Sequence, residues 1–248
     1  MKANTKMKNL IIRTLLTAYG LVYAALGEFF MIQGGVGGGA WQTLNVGISG
    51  KFNLPYGTVS ILTSVVIIMA DVFLKENIGI GTVLDAILYG ALYGFYEKYF
   101  YLPAFSSPVL TAVRGYVLLI LGMTVEIIGM YVYIGQGLSC GPRDLFLVGV
   151  GKKLKKLKIG LVNTIINVVV LLLGMLLGAK VGFGTAVHIF GYGVIMQLIF
   201  NALKFEPRFI YNESLFESLL TVKNSLSSKR ELELSLIHIS EPTRLLSI

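Results

Sequence analysis

Apolar positions in this chain fall in long unbroken runs, at about 10–33, 57–74, 80–101, 109–134, 159–178 and 181–203. Roughly 18 or more such residues in a row are what a helix needs to cross a hydrocarbon core of about 30 Å. The expected fold is therefore an all-α polytopic membrane protein with six transmembrane helices. Two further stretches, 41–52 and 143–154, are more polar and too short to cross, so they read as re-entrant or interfacial half-helices. If they did cross, the chain would have eight spans.

The chain also matches itself under a shift of about a hundred residues. Ile-Gly-Ile-Gly-Thr at 78–82 falls on Val-Gly-Phe-Gly-Thr at 181–185, and Tyr89-Gly90 falls on Tyr192-Gly193. The Gly-rich stretch 34–41 falls on 136–143, and Tyr56-Gly57 falls on Ile159-Gly160. Each half reads as long helix, Gly-rich break, short helix, helix, Gly-x-Gly-Thr turn, helix. Three crossings per half make the second half enter from the opposite face, which is the inverted-topology repeat of secondary transporters. The expected divisions are a cytoplasmic N-terminus at 1–9, membrane repeats at 10–103 and 104–204, and a cytoplasmic tail at 205–233. The remainder, 234–248, is set aside because Leu-Ser-Leu-Ile-His-Ile-Ser-Glu-Pro-Thr-Arg at 234–244 resembles a translated sequencing adapter.

Composition narrows the class further. Hydrophobic residues make up 55% and charged residues 14%, which leaves little for a water-soluble domain. The net charge of +8 sits at helix ends, so it orients the chain and does not form a nucleic-acid surface. Lys2, Lys6, Lys8 and Arg13 precede the first span, while Lys152, Lys153, Lys155, Lys156 and Lys158 crowd the connection before the fifth. The positive-inside rule puts both groups, and both termini, on the cytoplasmic side of a bacterial inner membrane. The lysine run also attracts anionic lipid. The first run is longer than a signal-peptide core and is read as retained. A lone thiol, Cys140, excludes an intramolecular disulfide and a cysteine-built metal cluster.

The order of these elements, with Gly141-Pro142-Arg143-Asp144 and the paired Gly-x-Gly-Thr turns, resembles the YczE/YyaS/YitT family of bacterial membrane proteins over about 13–203. The resemblance implies an integral inner-membrane protein without a defined activity. Two positions depart from the family pattern. Gly39-Ala40-Trp41-Gln42 stands where Ser-Pro-Trp-Asp is usual, and Asn167 stands where an acid is expected, so an ionic role at Gln42 or Asn167 is lost.

Several residues are candidates for chemistry. Pro142 suits the first turn of a helix with Gly141 as cap, and Asp144 agrees with the helix dipole. Arg143 opposes that dipole, so it needs an anion, a carboxylate elsewhere in the protein or a lipid phosphate. Gly141, Pro142, Arg143, Asp144, Trp41 and Gln42 are the expected substrate site. Asp85 and His188 occupy the same position in the two halves; they either relay a proton or only hydrogen-bond and fix packing. Glu28 and Glu126, near span ends, either line the pathway with them or are solvated at the interface. Trp41 and the many tyrosines also fit interfacial anchors. Gly35 to Ala40 formally matches a dinucleotide fingerprint, but it follows a membrane helix and lacks a βαβ unit. Gly90-xxx-Gly94 and Gly174-xxx-Gly178 indicate close helix contacts, within one chain or in a homo-oligomer.

The expected function is secondary transport of a small anionic or zwitterionic solute, with no metal or cofactor. The competing class is a non-transporting scaffold or accessory subunit. An enzyme is not expected, because no nucleophile–base or metal-ligand spacing is present.

Overall fold

The computed structural model describes residues 2–103, 107–154, 156, 157, 159–206 and 210–240. All secondary structure among them is helical. The first half comprises α1 (Lys2–Gly34), α2 (Ala40–Phe52), α3 (Tyr56–Leu74), α4 (Ile80–Leu84), a π-helical turn (Asp85–Tyr89) and α5 (Gly90–Tyr99). The second comprises α6 (Pro108–Ile134), α7 (Pro142–Lys153), α8 (Ile159–Leu176) and α9 (Phe183–Ala202), followed by α10 (Leu215–Ser240). Lys155, Lys158, the repeat boundary at 104–106 and the adapter-like residues 241–248 lie outside the described residues.

Four helices are long and apolar enough to cross a membrane: Thr5–Gly34, Tyr56–Leu74, Pro108–Ile134 and Phe183–Ala202. The other two expected spans take different forms. Residues 80–99 form one helical rod broken by the π turn, and α8 has a shorter apolar stretch, Leu161–Leu176. The two half-helices appear as α2 and α7, within a residue of their expected bounds. Large apolar side chains stay exposed along the long helices, including Val113, Val117, Leu172 and Phe190. In a bilayer such residues face lipid and carry no desolvation cost.

The α1–α6 pair forms the spine. Gly20, Gly27 and Gly34 recur every seven residues along α1, opposite Gly129, Gly122 and Gly115 of α6. A Cβ at Gly20 would stand 2.7 Å from the Gly129 carbonyl oxygen, one at Gly27 2.5 Å from that of Gly122, and one at Gly34 2.8 Å from that of Gly115. The descending partner numbers make the two helices antiparallel. With lipid as solvent, association rests on close backbone approach, which only small residues permit. Each helix also caps the other: Arg13 Nε donates to the Gln136 carbonyl at 2.6 Å, and Arg114 Nη2 to the Gln33 carbonyl at 3.3 Å. A guanidinium at a helix C-terminus satisfies orphan carbonyls and the negative dipole end.

The remaining contacts are reciprocal between halves. α2 packs on α8 while α7 packs on α3. The Gly81 N–H donates to the Leu138 carbonyl at 2.8 Å, and the Gly184 N–H to the Val36 carbonyl at 2.9 Å. Each Gly-x-Gly-Thr turn therefore seats on the Gly-rich break of the other half. Gly37 adopts φ 109° there, a conformation that L side chains avoid. Of the two small-xxx-small pairs expected from sequence, Gly90 abuts the Gly57 carbonyl and Gly174 abuts Thr43, whereas nothing approaches the Cβ positions of Gly94 and Gly178.

The tail is structured. Before α10, the Glu213 N–H donates to the Gly137 carbonyl and the Leu215 N–H to the Ile78 carbonyl, each at 2.8 Å. Arg13 Nη1 meets Glu213 Oε2 at 2.6 Å. Residues 213–215 of the expected tail thus hold a break and a turn together.

Candidate functional site

Where the two Gly-rich breaks meet the half-helices, a cavity of about 800 Å³ opens. Gly39 is the N-cap of α2 and Gly141 that of α7, with Pro142 buried at the first position. Both helices begin at the cavity wall, so their unsatisfied N–H groups and positive dipole ends are directed toward it. Of the ten residues singled out from sequence, nine line the wall: Glu28, Trp41, Gln42, Asp85, Glu126, Gly141, Arg143, Asp144 and His188. Pro142 is behind it.

Arg143 occupies the centre. Its guanidinium carbon lies 5.8 Å from the Trp41 ring centroid and 5.9 Å from that of Tyr89. Both are within the range of a cation–π contact. Among the described residues no carboxylate oxygen comes within 4.0 Å of its nitrogens. The cation is thus held by aromatic faces, and its fork of donors is left for something else. Trp41 serves as one of those faces, which corrects the expectation of an interfacial anchor.

Asp85 and His188 do not pair with each other. The Asp85 carboxylate lies against Gly141, where a Cβ would be 3.0 Å from Oδ2, and the His188 ring lies against Gly39, with Cε1 2.8 Å from the equivalent point. Each stands at the N-terminus of the opposite half-helix. The His188 ring stacks on Tyr192, centroids 5.0 Å apart.

Glu28 and Glu126 are not interfacial. Glu28 is 3% exposed and accepts a hydrogen bond from the Tyr56 hydroxyl. Glu126 accepts one from the Tyr89 hydroxyl at 3.2 Å. The wall therefore carries five carboxyl groups, from Glu28, Asp85, Glu126, Asp144 and, beyond the end of α9, Glu206, with one guanidinium. Asn163 and Asn167 add amides, with Asn167 Nδ2 donating to Asn163 Oδ1 at 3.1 Å. No group of three or more His, Cys, Asp or Glu side chains arranged for a metal occurs among the described residues.

Tyr56, Tyr89 and Tyr192 were not singled out by sequence reading as site residues. A signal was present: Asp85-xxx-Tyr89 and His188-xxx-Tyr192 share one spacing, so each tyrosine falls one turn beyond the ionisable residue on the same helix face.

A family model matches residues 11–201; its description is "Family of unknown function (DUF6198)". The chain belongs to the DUF6198 family. The match spans both halves and the whole cavity wall up to Asn201. An uncharacterized protein of Haemophilus influenzae is 27% identical over 195 residues, covering 79% of this chain and 86% of that protein. The "Uncharacterized membrane protein YczE" of Bacillus subtilis is 26% identical over 192 residues, covering 77% and 86%. The resemblance to YczE read from the motifs is thereby established. No solved structure matches the chain. With four helices long and apolar enough to cross and a membrane-protein relative over most of its length, this DUF6198 member is a membrane protein.

Proposed function

We propose that the protein is a secondary transporter or permease of the bacterial plasma membrane that carries a compact zwitterion. The observation that supports this most is Arg143, held between Trp41 and Tyr89 beside the starts of two half-helices, on the wall of a cavity of about 800 Å³. Half-helix N-termini aimed at a central site are how transporters hold carboxylates. The charge inventory narrows the solute. Five carboxyl groups line the wall with one guanidinium, so each one that is ionised repels a purely anionic solute. A carboxylate on Arg143 with an ammonium among Glu28, Glu126 and Asp144 is balanced at both ends.

The arrangement also favours an inverted repeat with six crossings. The antiparallel α1 and α6, the exchanged α2–α8 and α3–α7 packing and the reciprocal turn-on-break hydrogen bonds are what a two-fold axis in the membrane plane produces. On this reading the ends of α6 and α9 share the N-terminal, cytoplasmic side with Arg13. The cavity wall reaches that side at Phe200, Asn201 and Phe205. The repeat supplies a gate as well. A Cβ at Gly90 would stand 2.5 Å from the Gly57 carbonyl oxygen, so α3 and α5 are closed on each other. Gly193, the counterpart of Gly90, has nothing within 4 Å, and α8 and α9 face each other across the cavity. Alternating access then consists of closing α8 on α9 while α3 parts from α5.

The test is thermal stabilisation of the purified protein by amino acids and betaines against simple carboxylates, phosphate and amines. Zwitterions are expected to stabilise it. Arg143→Lys should weaken that binding at least tenfold, since a forked charge-assisted contact is worth about 1.5–3 kcal/mol. Stabilisation by anions alone, or an unchanged response in Arg143→Ala, would refute a zwitterion site. Silence across the panel returns the protein to the scaffold reading.

A further inference from the structure

Outside the cavity, one buried acid among the described residues stands without a hydrogen-bond partner. Asp71, on the last turn of α3, is 0% exposed, and neither carboxyl oxygen takes part in a hydrogen bond among the described residues. It ends the buried stripe Ser60, Ser64, Ile67, Asp71. A bare ionised carboxylate sealed from water is strongly disfavoured.

The location gives a proton on Asp71 a consequence. α3 packs against α7, the helix that carries Arg143, and Gly149 of α7 is wedged against α3: a Cβ there would stand 2.8 Å from Leu74 Cδ1 and 3.0 Å from Glu76 Cγ. The Lys152–Glu76 ion pair, at 2.6 Å, closes the joint from outside. In the repeat alignment Asp71 falls on Gly174 and Gly149 on Gly47. There the matching joint between α8 and α2 is a backbone contact, in which a Cβ at Gly47 would stand 2.6 Å from the Gly174 carbonyl oxygen. One half is thus locked by glycine, whereas the other has a titratable group at the same place. Other charges near Asp71 are few. Glu76 and Lys152 lie at the end of the joint with Lys153, and Cys140 is within electrostatic reach. α2 brings only the exposed Lys51, and the rod 80–99 brings Asp85, Glu97 and Lys98.

We propose that Asp71 is a proton-binding site in the α3–α7 joint: protonated, it lets α7 seat on α3; once the proton passes to water, the carboxylate forces the joint open and shifts Arg143. As the coupling site of a transporter, Asp71 rests on the transport reading; as a protonated joint, it stands on the buried carboxyl alone.

The experiment uses the full chain in lipid nanodiscs. Infrared spectra are recorded against pH for wild type and Asp71→Asn, with hydrogen exchange of the 142–153 amides in parallel. Wild type should show a protonated-carboxyl band that is absent from Asp71→Asn and disappears as pH rises. After correction for the intrinsic base-catalysed rate at each pH, the protection of the α7 amides should then fall about tenfold or more, as local opening does, while Asp71→Asn, which mimics the neutral form, keeps its protection. Asp71→Ser serves if the amide variant does not fold, with the same loss of the band. A band unchanged by both substitutions overturns the proposal, as does equal loss of α7 protection in wild type and variant. Sodium abolishing the band at constant pH also overturns it, because the ligand would be a metal cation. Since none of these readouts needs a solute, failure of the zwitterion panel and failure of the Asp71 proposal are separate results.

Discussion

At Arg143 a single side chain shows how neighbours give a residue its meaning. Alone, an arginine at a helix N-terminus is merely unfavourable; between the Trp41 and Tyr89 rings it becomes a cation held in place with its donors free. The sequence marked both Arg143 and Trp41, yet nothing local said that they meet. The glycines show the same dependence, with opposite signs. Gly27→Ala should destabilise the purified protein by about 1–3 kcal/mol, the usual cost of overpacking a close contact, because its Cβ would stand 2.5 Å from the Gly122 carbonyl oxygen. Gly94→Ala meets nothing within 4 Å and sits inside α5. It should stabilise by about 0.5–1 kcal/mol, the usual helix-interior difference. Thermal unfolding in one detergent compares the two directly, and equal effects would refute the close-packed spine.

Helix ends and half-helices were the most legible features. Gly141-Pro142 announced the start of α7, and the first residues of α2 followed from the same break one repeat earlier. The tail was less legible, because its role depends on Arg13, Gly137 and Ile78 far away in sequence. Its local signal was nevertheless complete: Ser214 and Glu217 form a capping box at the start of α10, with the Ser214 N–H donating to Glu217 Oε2 at 2.8 Å. The hydrogen bonds from the Tyr211 hydroxyl and from Ser214 hold the Glu217 carboxyl below its ordinary 4.5. A depressed carboxylate stabilises above its ordinary value and is lost as pH falls through the lowered one. Protection of the first α10 amides should therefore persist at neutral pH and fall away in acid below that value, as hydrogen exchange will show. Ser214→Ala should reduce it at every pH.

Two arrangements of one assembly follow from the reciprocal contacts. If α3–α5 and α8–α9 are alternating gates, spin labels at exposed Val169 and Val194 should approach each other when solute is cycled, while labels at exposed Leu62 and Phe95 separate. Distances measured by electron spin resonance in nanodiscs check this, and two static distances would refute alternation. The charge balance of the cavity also belongs to the assembly. Glu28 and Glu126 come from α1 and α6, Asp85 from the π turn and Asp144 from α7. Their excess over Arg143 exists only once those elements meet.

Hydrophobic run length, the Gly-rich breaks and the shifted self-match were enough to determine an all-helical membrane protein, its short helices and nine of the residues that reach the cavity. These are local properties, set by how many apolar residues a bilayer requires and by which residues cannot continue a helix. Tertiary structure alone decided the rest. Heptad glycines on α1 and α6 could be seen, but only antiparallel packing brings Gly27 onto Gly122. Asp85 and His188 were recognisably equivalent, but each finds its place at the opposite half's N-cap. Nothing in the sequence around Asp71 says that it is buried without a hydrogen-bond partner. Burial, pairing and the sign of a substitution depend on what lies across the interface, and those partners are far apart along the chain.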